Sequence, residues 1–148
     1  MAKTDLEKIK AWLDTYPGHE ILREYHVDYT DRLPGNGGVF PTGIMEISRT
    51  EDIVGNVAVT EQLNFALYYV FAKSPGDDTG AAVNADWVAD FQNWAAEQSI
   101  RHKAPIFGDE PDRERIRAEN GMLYQADEEG TAVYAVQLSV QRIHQYDV

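Results

Sequence analysis

The 148-residue chain contains no cysteine. Disulfides, zinc–thiolate sites and thiol catalysis are therefore excluded. Basic residues are scarce: 13 Lys and Arg stand against 25 Asp and Glu, for a formal net charge of −12. A chain this acidic is repelled by nucleic acid unless its few basic groups cluster, so sequence-specific nucleic-acid binding is not expected. No apolar run approaches the ~20 residues a membrane helix needs. The opening "MAKTDLEKIK" lacks the apolar stretch of a signal peptide. No membrane partner is expected, and a cytoplasmic setting is the simplest reading.

Motifs that carry chemistry are missing as well. The histidines, His19, His26, His102 and His144, begin no H-x-x-x-H or H-E-x-x-H pattern. There is no G-x-S-x-G elbow, no P-loop and no G-x-G-x-x-G. "GNGG" lacks the Lys-Ser or Lys-Thr that would hold a phosphate. The acidic clusters Asp77-Asp78 and Asp109-Glu110 with Asp112 and Glu114 do not follow the EF-hand pattern, and read as solvated loop charge. The sequence thus nominates no catalytic, cofactor-binding or metal-ligating residue, and the expectation is a protein that is not an enzyme and needs no cofactor.

Apolar patterning is strong. In and just before "NADWVADFQNWAAEQS", residues 84–99, Val83, Trp87, Phe91 and Trp94 fall within about 80° of one another on an α-helix. Asn84 is placed to cap that helix, and Asp86 lies near the positive end of its dipole. Aromatic platforms for bases or sugars usually interleave basic residues, whereas here the neighbours are acidic or amide. Trp87, Phe91 and Trp94 are read as core anchors.

An opening helix carries Leu6, Ile9, Leu13 and Tyr16, flanked by Trp12, capped by Thr4 or Asp5 and ended by Pro17-Gly18. "EILREYHVDY" reads as a strand, "RLPGNGGVFPTG" as a loop, and "IMEISRTEDIVGN" as a strand and polar turn. "VAVTEQLNFALYYVFAK", residues 57–73, is the longest β signal, with an apolar odd-numbered face suited to an antiparallel strand covered on one side. Those odd positions are the floor for the aromatic helix, reached through the crossover "SPGDDTGAA". After a loop, "HKAPIFGDEPDRER", two strands at 113–126 and 131–146 flank Glu128-Glu129-Gly130, with Gly130 in the left-handed position. In that register Asp127 faces Thr131, Tyr124 faces Tyr134 and Met122 faces Val136, and a one-residue slip would split the apolar sets. The whole is one domain over 1–148, α+β, a mainly antiparallel sheet under helices in the order α-β-β-β-α-β-β.

One polar pattern stands out. Arg113, Arg115 and Arg117 alternate along a predicted strand and so project from one face. Guanidinium groups in line repel unless carboxylates or phosphates meet them. They are either an exposed strand face flanked by Glu119 and acidic loops or a salt-bridged contact between subunits.

From Tyr16 to about Val140, "YPGHEIL", "PTGIMEISRTEDIVGN", "QLNFALYYVF", "NADWVADFQNWAAEQS" and "APIFGDEPDRERIRAENGMLYQADEEGTAVYAVQLSV" occur in an order that resembles small phage and prophage proteins of the head–tail region of long-tailed bacteriophages. These are often labelled minor capsid proteins, and the chain is similar, more loosely, to the tail terminators of that region. The resemblance implies a structural virion component assembled in the bacterial host cytoplasm. It implies a compact domain with helices on a sheet and self-assembly into a ring, commonly of six subunits, that stops tail-tube growth and meets the head connector. An acidic lumen would let DNA pass without sticking. The alternatives are a minor capsid or tail-tube-associated protein and, from another class, a small-molecule-binding domain or an enzyme using the acidic loops.

Overall fold

In the computed structural model, which describes residues 4–18, 24–27, 36–72, 78–126 and 131–147, the long alternating segment becomes the middle strand of a five-stranded sheet. The strands are β1 (Glu24–Val27), β2 (Asn36–Glu51), β3 (Val57–Ala72), β4 (Arg115–Ala126) and β5 (Thr131–Tyr146), in the spatial order β1-β2-β3-β5-β4. From β2 to β4 every neighbouring pair is antiparallel, and β1 lies parallel to residues 36–39 of β2. With two helices, α1 (Asp5–Leu13) and α2 (Asp78–Ile100), the architecture is α+β.

The odd positions of β3 do what the alternation requires. Leu63, Phe65, Leu67, Tyr69 and Phe71 are buried, as are Tyr134, Val136, Leu138 and Val140 of the paired β5. One cluster joins them to Ile9, Trp12 and Leu13 of α1 and to Val88, Phe91 and Ala95 of α2. Thr4 caps α1 by accepting the backbone N–H of Glu7. Trp12 stacks on Trp94 with ring centroids 4.8 Å apart, which fastens α1 to α2.

Several local readings are corrected. α2 begins at Asp78, so Asn84 stands inside the helix and does not cap it. Ala81 and Ala82, good helix formers, carry the helix back through what the turn-like "SPGDDTGAA" suggested was a crossover. The buried line is Val88-Phe91-Ala95, with Trp87 and Trp94 packed half-buried beside it, while Val83 is 61% exposed. Asn36–Gly43, read as loop, belongs to β2. Gly37 and Gly38 are buried opposite Tyr69 and Tyr68, and their lack of side chains leaves room for two rings. Only Glu24–Val27 of the "EILREYHVDY" segment is described as strand, and its parallel direction is not encoded by alternation.

The β4–β5 register starts as read, with Ala126 opposite Ala132 and Gln125 opposite Val133. It then shifts: Tyr124 is bulged out, Leu123 faces Tyr134, and Met122 faces Ala135 in place of Val136. A second irregularity follows at Asn120-Gly121, where Asn120 adopts φ 56°. A Cβ on Gly121 would lie 2.4 Å from the Gln92 amide oxygen and 2.5 Å from Val88, so only glycine lets α2 cross β4 so closely. The Glu128-Glu129-Gly130 loop, with its left-handed glycine and the pairing of Asp127 with Thr131, lies outside the described residues.

Two phenols belong to the core. Burial pushes the Tyr134 hydroxyl above its ordinary value near 10. Burial, and then the negative charge of Asp90, does the same for Tyr16. With folded values raised, both groups contribute stability fully below pH 10, and lose it as pH rises through their folded values. Thermal melts are expected to fall above pH 10, less steeply in Tyr134→Phe. An unchanged slope in that variant would contradict the assignment.

Candidate assembly surfaces

Helices cover one face of the sheet, and α2 and the loop before β4 cap part of its β4–β5 side. The outward N–H of Ile116 in β4 donates to Ser99 Oγ (3.0 Å), and the Ala118 carbonyl accepts from the Gln92 amide (3.1 Å). Both partners come from α2. Past Gln141, where β4 no longer pairs with β5, the loop takes over: Asp109 N–H donates to the Ile143 carbonyl, and the Asp109 carboxylate accepts from Gln145 N–H. The Glu114 carboxylate accepts from the backbone N–H groups of Phe107 and Gly108 and so fixes that loop. Edges capped in this way resist pairing with foreign strands.

β2 is different. β1 pairs with it only at residues 36–39. From Pro41 to Val54 every residue is exposed, and the edge from Pro41 to Glu51 has no neighbouring strand among the described residues. Pro41 supplies no N–H, and register shifts fall at Pro41/Gly43 and Glu46/Ser48, which blunts the edge. Its side chains are not blunted: Ile44 (60%), Met45 (50%), Ile47 (45%), Ile53 (105%) and Val54 (74%) stand in solvent. The tip is ordered, because Asp52 Oδ1 accepts from the N–H groups of Val54 and Asn56 at 3.0 and 2.9 Å. The hairpin is thus a firm apolar arm that contributes little to its own core.

The arginines separate. Arg113 lies in a short 3-10 turn, Pro111–Arg113, where it pairs with Glu110 at 3.2 Å, so it does not share a strand face with the others. Pro111 sets the turn and starts the strand two residues later than its alternation implied. Arg115 and Arg117 remain on β4 and are exposed. Arg117 is 3.8 Å from Glu119, and Arg115 has no carboxylate within 4 Å among the described residues. Beside them a groove of about 370 Å³ runs between the end of α2 and β4, lined by Ala96, Ile100, His102, Arg115 and Ile116 among others. Ile100 is 77% exposed at its rim.

On the uncovered sheet face, Arg117 and Glu119 border a shallow hollow of about 520 Å³ lined by Gln62, Asn64, Gln137, Ser139 and Gln141. An aromatic row continues it: Phe40 meets Tyr68 at 5.2 Å and Tyr68 meets Tyr124 at 5.4 Å, both edge-on. Trp87, Phe91 and Trp94, by contrast, belong to the helix side. The Trp87 indole N–H donates to the Gly18 carbonyl at 3.1 Å, and Phe91 is fully buried.

Among the described residues, no three carboxylate or imidazole groups converge as metal ligands. Asp109 and Glu114 are engaged with backbone as above, and Asp77 lies outside the described residues. His144 stands between Glu61 (4.0 Å) and Asp109 (3.7 Å), next to an ion cluster that the sequence reading missed. That cluster is centred on Arg142, 8% exposed, which bonds Asp5 of α1 and lies 3.9 Å from Glu61 of β3. Its sequence signal is an arginine on the apolar side of an otherwise alternating strand. The signal for the arm was there too: "IMEISRTEDIV" carries aliphatic residues on both faces, more than a one-sided strand can bury. No family model matches the chain, and no curated protein matches it in sequence.

Proposed function

We propose that the chain is a structural protein of the head–tail region of a long-tailed bacteriophage or prophage, a tail terminator that assembles as a ring between tail tube and head connector. The observation that carries this reading is the arm: fourteen consecutive exposed residues, Pro41–Val54, holding five large aliphatic side chains on an ordered hairpin. Apolar surface presented so deliberately is a partner-binding feature. The α+β architecture with helices on one sheet face is compatible with the resemblance read from the sequence. The acidic balance suits a lumen through which DNA must pass.

Light scattering across a wide concentration range, with negative-stain imaging of the large species, tests the reading. Closed rings of uniform size support it. Open filaments favour a tail-tube-associated role, and a monomer that is not recruited by purified tail tubes overturns it. Arg115→Glu combined with Arg117→Glu is expected to lower the assembled fraction at a given concentration without lowering the melting temperature. An unchanged oligomer mass would remove those arginines from the contact.

A further inference from the structure

We propose that the arm tip of one copy, Ile53-Val54, seats in the groove beside Ile100 and Arg115 of the next, so that the contact is head-to-tail. The inference rests on the ring reading and adds to it which surfaces meet.

Position supports it first. The arm belongs to the β2–β3 hairpin, whereas the groove lies where α2 ends against β4, the strand on the opposite edge of the sheet. Both occupy the same end: β4 starts opposite Gln141, and Gln141 lies opposite Gln62, five residues from the arm-side start of β3. A contact from one edge to the other repeats in one direction, and a head-to-tail contact closes into a ring when its rotation closes. An arm meeting an arm would stop at a dimer.

Size and apolarity agree. A cavity of ~150 Å³ lined by aliphatic groups accepts a benzene, so a groove of about 370 Å³ has room for the Ile53 and Val54 side chains. Ile100, 77% exposed, forms its apolar rim.

Charge agrees as well. Residues 101–117 hold Arg101, Lys103, Arg113, Arg115 and Arg117, five of the chain's 13 basic residues, against four acidic ones. The remainder has eight basic and 21 acidic. The groove lining itself carries Asp112 and Glu114 as well as Arg115 and Arg117. Glu114 is taken up by the backbone N–H groups of Phe107 and Gly108, which leaves Arg115, among the described residues, as the cation free to meet an acidic tip. The arm tip is flanked by Glu51 and Asp52, both exposed, and Asp52 is already oriented by its turn. Complementary charge of this kind fixes register and excludes the reversed contact.

The cysteine-free chain makes the test clean, because two introduced cysteines are the only pair. Within one copy, position 53 lies beyond Val57 while position 100 lies near the level of Gln62. They are separated by more than about 17 Å along the strands, too far for a disulfide, which needs Cα atoms within about 7 Å. Mixing Ile53→Cys with Ile100→Cys under mild oxidation is expected to give a covalent dimer, and neither variant alone should. The Ile53→Cys/Ile100→Cys chain is expected to give a ladder ending at the ring size. Arg115→Glu on the Ile100→Cys partner should lower the yield several-fold, and Glu51→Arg on the Ile53→Cys partner should restore it. Self-coupling of Ile53→Cys overturns the proposal in favour of arm-to-arm pairing. A mixture that couples no better than Ile53→Cys with Val83→Cys, an exposed position elsewhere on α2, also overturns it. If imaging still shows rings in that case, only the arm contact fails. If the protein is also monomeric and is not recruited by tail tubes, the ring reading fails with it.

Discussion

Phe91→Ala is expected to cost about 3–5 kcal/mol of stability, the range for removing a fully buried ring. Phe91 has no solvent exposure. Its ring lies 5.3 Å from Tyr16, 5.9 Å from Tyr69, 6.4 Å from Trp87 and 6.0 Å from Trp94. Those neighbours come from α1's trailing turn, β3 and α2, so no single shift refills the void. For a domain of this size the loss translates to a fall of roughly 6–20 °C in melting temperature. Val83→Ala, about two helical turns away and 61% exposed, is expected to change stability by less than about 0.5 kcal/mol. Urea unfolding of both variants measures the contrast. A loss below about 1 kcal/mol for Phe91→Ala would mean that the aromatic row is not the seat of the helix.

Arg142→Ala is expected to cost about 3 kcal/mol, because it leaves Glu61, whose side chain is only 17% exposed on the core side of the sheet, with only the His144 ring, 4.0 Å away, among the described residues. The cation is itself held tightly. It is 8% exposed, it bonds Asp5, and its Nε has no hydrogen-bond partner. An incompletely satisfied buried ion stabilises less than an apolar group of the same shape would. Arg142→Met with Glu61→Leu is therefore expected to recover most of the loss, and to exceed the parent if packing closes around the pair. Chemical denaturation of the two single variants and the double measures the coupling. Equal and additive losses would show that the two side chains do not act together.

The sequence reading succeeded where one physical rule dominated. Alternation along 57–73 picked out β3 and its buried face, because a half-covered strand leaves little freedom in which residues point inward. The stripe through Trp87, Phe91 and Trp94 located α2 for the same reason. Failures came where tertiary packing overrode local signals. Gly37 and Gly38 look like a loop until two tyrosine rings lie opposite them. Asn84 looks like a cap until alanines extend the helix behind it. Simple alternation pairs Tyr124 with Tyr134 because it contains no bulge, and the glycine that admits the α2 crossing shifts the register nearby. Of the candidate assembly surface, the arginines were visible as a pattern, though Pro111 removes Arg113 from it. The arm reads in sequence only as a strand and polar turn: its aliphatic residues on both faces hint at surplus apolar surface, and their exposure in the fold shows where that surplus goes.

The strand order has a consequence for how the protein reaches this state. β5 is the next-to-last strand in space but follows every other element in sequence, and it inserts between β3 and β4. A ribosome-bound chain that has not released residues 131–146 therefore holds a bare β3 edge, and Leu63, Phe65 and Leu67 lack the partners that complete their layer. Such long-range pairing is slow, and half-made sheets are prone to aggregate. The sheet can therefore close only once β5 has emerged to fill the place between β3 and β4.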